Sequence, residues 1–191
     1  MFAPLIGLSL GLLSVAEDAQ PVPAPPSEPA LAEPVDWIRG CLGTERSDTA
    51  VASCVGRWGN LCQEQAERMP TVGISGCIAK ELSAWESLRL EVYEKLVESA
   101  IGYDRHMREG SPSVRASLAA SKVAWEAFRD AQCDYEWAEY ADGSMRGIVG
   151  VSCQVKVTSQ RYDFHLQHGW QQNHFKSFED ARVKAPEPVG P

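Results

Sequence analysis

The pattern of hydrophobic and polar positions predicts three long helices in the second half of the chain. Between residues 78 and 100 apolar residues recur every three or four positions, which is typical of an amphipathic helix of about 24 residues. The apolar positions are Ile78, Leu82, Trp85, Leu88, Val92, Leu96 and Ala100. Charged residues largely fill the other faces, and they are Glu81, Glu86, Arg89, Glu91, Glu94 and Lys95. A polar connection follows at residues 103–110.

The second long helix is predicted to follow this connection. Ser111 offers an N-cap and Pro112 suits the first helical position, so we expect a helix from there to about Trp137. Its inward side is expected to carry Val114, Leu118, Ser121, Trp125 and Phe128. We expect the two large aromatic residues of this set, Trp125 and Phe128, to lie in the core.

The third long helix is predicted from Met145 to about Trp170, after a turn at residues 142–144. Its expected buried stripe is Ile148, Val149, Ser152, Val155, Ser159, Tyr162 and Leu166. The β-branched run at 148–157 leaves a strand as the competing interpretation, because Val and Ile favour strands.

Two short helices are predicted before these three. Asp36 can cap the first, which Gly43 would end. The second spans about residues 48–69 and ends before Pro70, since the residue before proline avoids the helical region. Gly56 weakens it, and a turn is expected from Pro70 to Gly76. Because no stretch alternates strictly enough to require a sheet, the sequence predicts an all-α, disulfide-stapled bundle of two long antiparallel helix pairs preceded by short cysteine-bearing helices.

The chain has six cysteines, an even number that in an exported protein indicates three disulfides. Cys133 and Cys153 lie in consecutive helices across a turn, so a bond between them would lock that pair. Cys62 and Cys77 flank the turn at Pro70 in the same way, which leaves Cys41 with Cys54. Six cysteines permit 15 pairings, and the four N-terminal ones could pair otherwise. Their spacings fit no zinc site.

The two ends of the chain differ from the folded part. Residues 1–16 are apolar, carry no charge and end in a small-x-small pattern, which predicts a secretory signal peptide. Residues 17–35 are rich in proline and are expected to form an extended linker, and residues 181–191 a flexible tail. The predicted domain is therefore 36–180, in a periplasmic or secreted protein. No cysteine precedes Cys41, so we expect no lipid anchor and no stable membrane anchor after cleavage.

The net charge of the chain limits the classes of molecule that it is expected to bind. A net charge of −8 and a pI near 5.0 argue against nucleic acid and anionic membranes, which require a basic surface. A cationic protein is the partner that such a surface attracts. Solubility alone also explains an acidic composition.

The candidate chemistry predicts no enzyme and no cofactor. The histidines are His106, His165, His168 and His174. Two of them lie three residues apart and could share a metal, but a solvated helix face is the favoured interpretation. No Gly-x-Ser-x-Gly motif occurs. The carboxylate pairs at 81 and 86 and at 136 and 139 could suggest a glycosidase, but such pairs are usually solvated. Arg129 and Asp130 are expected to be structural, with the guanidinium joining helices through a carboxylate or carbonyls near Glu81.

These residues together resemble the LprI-type lysozyme inhibitor family, a group of small exported bacterial helical proteins, over residues 62 to 166. The first part of the resemblance consists of Cys62, Thr71, Ile74, Cys77, Glu81, Trp85, Tyr93 and Leu96. The second consists of Leu118, Trp125, Phe128, Arg129, Asp130, Ala131, Cys133, Gly143, Ser144, Cys153, Thr158, Arg161 and Leu166. Glu86 and the pair Arg89 and Leu90 depart from the family pattern, and the pair Cys41 and Cys54 is additional.

The resemblance implies a disulfide-bonded helical protein that binds and inhibits a lysozyme. An acidic surface would be attracted to such a basic enzyme. The alternative is a non-inhibitory envelope protein with a structural or stress-related role that binds another partner. An enzyme that acts on cell-wall material is the third possibility and the one least favoured by the residues.

Overall fold

The computed structural model describes residues 31–44, 50–65, 69–140 and 142–171, and within these ranges it is entirely helical apart from turns and connections. The helices are α1 (Pro34–Thr44), α2 (Ala50–Cys54), α3 (Arg57–Glu64), α4 (Thr71–His106), α5 (Val114–Ala138) and α6 (Arg146–Gln171). The all-α prediction is confirmed, and the run at 148–157 is helical. The predicted signal peptide, the tail at 181–191 and the linker up to residue 30 lie outside the described residues.

The three long helices form the bundle. The connections between α4 and α5 and between α5 and α6 are short, and consecutive helices that pack across short connections run antiparallel. As a result α4 and α6 run in the same direction, and these two make the most extensive contact in the protein. None of the helices in the described ranges combines the length and apolarity that a membrane span requires.

The core lies between α4 and α6 and is closed at one side by α1 and α2. Trp85 of α4 is fully buried, and its ring lies 5.7 Å from that of Tyr162 on α6. The buried apolar residues around this pair are Ile38, Leu42, Val51, Cys54, Ala84, Leu88, Val92, Leu96, Val155 and Leu166. α5 lies at the edge, since Cys133 is its one buried residue.

All three predicted disulfides are confirmed. Cys41–Cys54 joins α1 to α2, Cys62–Cys77 joins α3 to α4, and Cys133–Cys153 joins α5 to α6. The Cα–Cα distances of 6.1, 5.8 and 5.5 Å lie in the usual range for a disulfide. Each bond therefore links two elements that are close in sequence, so the staples hold neighbouring helices together along the chain.

The first long helix is longer than predicted. α4 has 36 residues, because it begins at Thr71 rather than after Gly76 and continues to His106. The expected turn at 70–76 is the first part of this helix: Pro70 lies outside it with φ −66°, and its carbonyl accepts hydrogen bonds from the amides of Gly73 and Ile74. Proline here starts a helix instead of interrupting one. The first short helix also begins earlier than predicted, because α1 starts at Pro34, two residues before the expected cap Asp36.

The second predicted short helix is divided into α2 and α3. Gly56 adopts φ +80° between them, a left-handed conformation that glycine tolerates and other residues rarely adopt. The N-cap of α5 is Ser113 rather than Ser111. The Ser113 hydroxyl accepts the amide of Ala116, while Asp104 from the end of α4 accepts the amide of Val114 at 2.7 Å. The Ser113 hydroxyl also donates to Asp104 at 2.7 Å, and this hydrogen bond, followed by those from the backbone amides of Val114 and Arg115, lowers the pKa of the Asp104 carboxyl.

The prediction that Phe128 is buried is wrong, since its side chain is 58% exposed. The Cys133–Cys153 bond and the contact of Arg129 with α4 fix which side of α5 faces inward. At 100° per residue Phe128 lies about 140° away from Cys133 around the helix. Ser152, expected in the buried stripe of α6, is also exposed, whereas Thr158 on the same helix is fully buried.

Candidate functional site: an arginine cluster around Trp125

Glu81 forms a buried anchor where α3 meets α4. Its carboxylate, 1% exposed, accepts the backbone amides of Gly56 at 2.6 Å and Gly59 at 2.7 Å, and the indole N–H of Trp85 at 3.1 Å. A Cβ on Gly59 would lie 3.0 Å from a Glu81 oxygen, so this close approach requires glycine. Glu81 was predicted to be solvated, and that prediction is wrong. The structure gives it a role in holding the N-terminal helices on the bundle.

The second polar cluster is built around Trp125, which is half-buried on α5. Three guanidinium groups lie over or beside its ring: Arg89 of α4 at 4.8 Å, Arg129 of α5 at 5.2 Å and Arg161 of α6 at 5.7 Å from the ring centroid. Each of the three long helices thus contributes one cation to the same indole. Cation–π contacts of this kind are stronger when the groups are shielded from water.

Carboxylates neutralise two of these arginines. Glu86 of α4 pairs with both Arg89 at 2.7 Å and Arg129, and it accepts the hydroxyl of Thr158 at 3.3 Å. Arg129 also pairs with its neighbour Asp130 at 2.8 Å. The predicted role of Arg129 in joining helices through a carboxylate therefore agrees with its position, but the carboxylate is Glu86 and not Glu81.

Arg161 differs from the other two arginines. Its Nη2 donates to the hydroxyl of Ser121 at 2.8 Å, and none of the ion pairs in the described part of the chain includes it. Burial and the nearby charge of Arg89 lower the pKa of its guanidinium. Arg161 is held in place by a hydroxyl and the ring of Trp125 rather than by an opposite charge.

His165 completes the inner end of the cluster. It was predicted to lie on a solvated face with His168, but its side chain is 2% exposed, and its ring centroid lies 6.2 Å from that of Tyr93. Burial, followed by the charges of Arg161, Arg89 and His168, lowers its pKa from 6.5 to about 3. Neither ring nitrogen has a hydrogen-bond partner among the described residues. The imidazole is therefore neutral at physiological pH.

The cluster provides fixed charges rather than a reactive group. In the described residues no hydroxyl is paired with His165, all cysteines are in disulfides, and no three His, Cys, Asp or Glu side chains are grouped to hold a metal ion. Glu136 accepts from Gln132 and Glu139 accepts from Tyr135, so those two carboxylates are engaged along α5.

Beside the cluster, the far end of α5 has an acidic and aromatic surface. Trp137, Tyr140 and Met145 are 41%, 47% and 48% exposed, and Trp137 packs so closely on α6 that a Cβ on Gly150 would lie 3.1 Å from its ring. An open cleft of 350 Å³ lies here between α5 and α6, with Asp134 in its lining. Exposed Trp and Tyr side chains are typical of interfaces.

Of the candidate residues predicted from the sequence, Trp125, Arg129 and Asp130 lie together in the arginine cluster. Trp85 and Glu81 form the separate buried anchor, and Phe128 belongs to neither group. The burial of Arg89 and His165 was not predicted from the sequence. A signal was present, because each occupies a position of its helix's apolar stripe: Arg89 lies four residues after Trp85, and His165 three after Tyr162.

Comparison with known proteins identifies the family of the chain. The family model described as "Lysozyme inhibitor LprI" matches residues 62–164, more than half of the chain. The chain is also similar to a protein described as "Uncharacterized 17.7 kDa protein in puhA 5'region" from Rhodobacter capsulatus, with 19% identity over 137 residues that cover 70% of this chain and 85% of that protein. No solved structure matches it significantly. The chain belongs to the LprI lysozyme inhibitor family.

Proposed function

We propose that this protein is exported and that it binds and inhibits a cationic lysozyme. Its membership of a lysozyme inhibitor family carries the proposal, because the matched segment includes most of the three-helix bundle, with Glu81 and the three arginines around Trp125. Export is supported by the apolar segment at residues 2–16 and by three disulfides, which persist in oxidising compartments.

The charge of the chain supports a basic partner. With a net charge of −8 the protein attracts a cationic enzyme before contact, which raises the association rate more than the affinity. Arg89 and Arg129 are engaged with Glu86, while Asp134 and Glu139 are exposed. The outward field around the C-terminal end of α5 is therefore negative. In this proposal the protein performs no reaction and inhibits the enzyme only by binding to it.

The test is an assay of cell-wall lysis by a cationic lysozyme with the oxidised protein lacking residues 1–16. Inhibition is expected to be stronger at about 20 mM salt than at about 300 mM, because salt screens charges beyond a Debye length. The control is the same chain reduced and alkylated, which has lost its staples but keeps its carboxylates. Equal inhibition by this control would mean that charge alone acts, and the proposal of a folded inhibitor would be wrong.

A direct binding measurement distinguishes an inhibitor from the alternative, a protein that binds a partner without inhibiting it. Titration calorimetry of the same two proteins should give a complex whose dissociation constant is similar to the inhibition constant. A complex that forms without slowing lysis would favour a non-inhibitory envelope interaction protein. No complex and no inhibition at micromolar protein would exclude the lysozyme tested as the partner.

A further inference from the structure

The inward side of α5 is unusually polar for a helix that packs on a bundle. It carries Leu118, Trp125 and Cys133. Beside them it also carries the charged residues Lys122, Glu126 and Arg129, which make ion pairs around Trp125. A surface helix usually buries its apolar stripe and exposes its charges. In α5 part of the interior contact is made by charges, and further apolar residues are left on the outside.

The outer face of α5 consists of Phe128, Tyr135 and five exposed alanines, with Val123 exposed at its edge. The alanines are Ala120, Ala124, Ala127, Ala131 and Ala138. The side chains of Val123, Phe128 and Tyr135 are 66%, 58% and 59% exposed. Phe128 and Tyr135 are two turns apart on the same side, about 10 Å along the helix axis. Ala131 lies between them and leaves the helix backbone accessible to a close neighbour. Contiguous apolar surface with aromatic residues marks interaction sites on soluble proteins.

The charges at the rim of this face indicate what covers it. From residue 130 to residue 142 the sequence has five carboxylates and no Lys, Arg or His. They are Asp130, Asp134, Glu136, Glu139 and Asp142. Asp130 is paired with Arg129 and Glu136 accepts from Gln132, so the exposed Asp134, Glu139 and Asp142 form the acidic rim. Tyr135 donates its hydroxyl to Glu139 at 2.8 Å, so a ring and a carboxylate are presented together. A lysine or arginine stem can pack on such a ring while its charge meets the carboxylate.

We propose that the outer face of α5 is the surface on which the cationic lysozyme docks, with Phe128 and Tyr135 as its central contacts. This inference rests on the proposed function and names the surface that performs it. A second copy of this chain is the less favoured occupant, because two molecules of net charge −8 repel each other. A basic enzyme is complementary both to the rim and, through its long apolar side-chain stems, to the rings.

The test compares Phe128→Ala and Tyr135→Ala with Phe164→Ala. Phe164 is 57% exposed on α6 and stacks on His168, so its substitution removes the same group from another surface. Because all three side chains are exposed, the thermal midpoints should equal that of the wild type. We expect the inhibition constant of each α5 variant to rise by about tenfold, and that of Phe164→Ala to stay unchanged. The double variant should also lose binding by calorimetry.

The other outcomes are distinguishable. If the wild type inhibits and the α5 variants inhibit equally well, or if Phe164→Ala weakens inhibition as much as they do, the docking surface is wrong while the proposed function stands. If the wild type neither binds nor inhibits, both fail. If light scattering finds a wild-type dimer that Phe128→Ala dissociates while inhibition is unchanged, a second copy covers the face and the inference is overturned.

Discussion

Arg129 of α5 pairs with Glu86 of α4 beside the half-buried ring of Trp125. The side chains of the pair are only 19% and 24% exposed, so neither charge is well solvated. A charge that loses its partner in such a position is costly, because no water replaces the missing contact. The pair therefore sets how α5 sits on α4, and it explains why a charged side of that helix faces inward.

Arg129→Met is expected to lower the free energy of unfolding by about 2 kcal/mol, because Glu86 loses one of its two cations and Trp125 loses one of its stacked guanidinium groups. Urea denaturation measures the change. Lys156→Met, at an exposed position of α6, is the control and should leave stability unchanged. If the stability of Arg129→Met were that of the wild type while lysozyme binding was lost, Arg129 would be a binding residue rather than a structural one.

Glu81→Gln should destabilise the protein by about 3 kcal/mol. The carboxylate accepts three N–H groups, and an amide in its place would direct an N–H group at one of these donors in a buried site. The same denaturation experiment tests this, with Glu94→Gln as the control at an exposed position of α4. Gly59→Ala is expected to act in the same direction, since its methyl group would crowd the Glu81 oxygen. If both variants had the denaturation midpoint of the wild type, the claim that Glu81 stabilises the contact of α3 with α4 would be wrong.

The long helices could be predicted from the sequence because apolar spacing reports one buried stripe without reference to the rest of the fold. Their ends could not. Pro70 was interpreted as the start of a turn, yet its carbonyl begins α4, and Asp104 caps α5 across the connection. Such caps depend on a contact between elements, which local propensity does not contain. The three disulfides were predictable because each joins neighbouring elements.

The candidate site was harder to predict, because polar side chains are buried there while an apolar one is exposed. Glu81, Arg89 and His165 lie on apolar stripes and were assigned to solvent for their polarity alone. Phe128 was assigned to the core for the opposite reason. On α5 the inward side is decided partly by partners on α4, above all Glu86, so the helix's own apolar pattern places Trp125 correctly and Phe128 wrongly. Only the assembled bundle shows which charges neutralise one another.

Replacement of Cys133 and Cys153 by alanine is expected to lower the free energy of unfolding by about 3 kcal/mol, as the chain-entropy model gives for a loop of 20 residues. Denaturation of the oxidised double variant against the wild type measures this. Non-reducing peptide mapping of the wild type should recover the 133–153 link and no free thiol. A stability equal to that of the wild type would mean that the α5–α6 contact is held by packing alone.

Acid should destabilise the protein through His165. In the unfolded chain an ordinary histidine titrates near pH 6.5, whereas burial and the charges of Arg161, Arg89 and His168 keep the folded pKa at about 3. Between these values the unfolded state binds the extra proton, so stability is full above pH 6.5 and is lost as the pH falls towards 3. From pH 7.5 to 5.0 the expected loss is about 2 kcal/mol.

His165→Leu is expected to abolish this acid loss between pH 7.5 and 5.0, because leucine fills a buried position without a proton to bind. Urea denaturation at several pH values gives the slope for each variant. His106→Leu is the control, since His106 is exposed in the last turn of α4 and its charge is not among those that lower the pKa of His165. Carboxylates contribute little above pH 5, so the slope in this window reports histidine. A wild-type slope in His165→Leu would place the acid sensitivity elsewhere in the bundle.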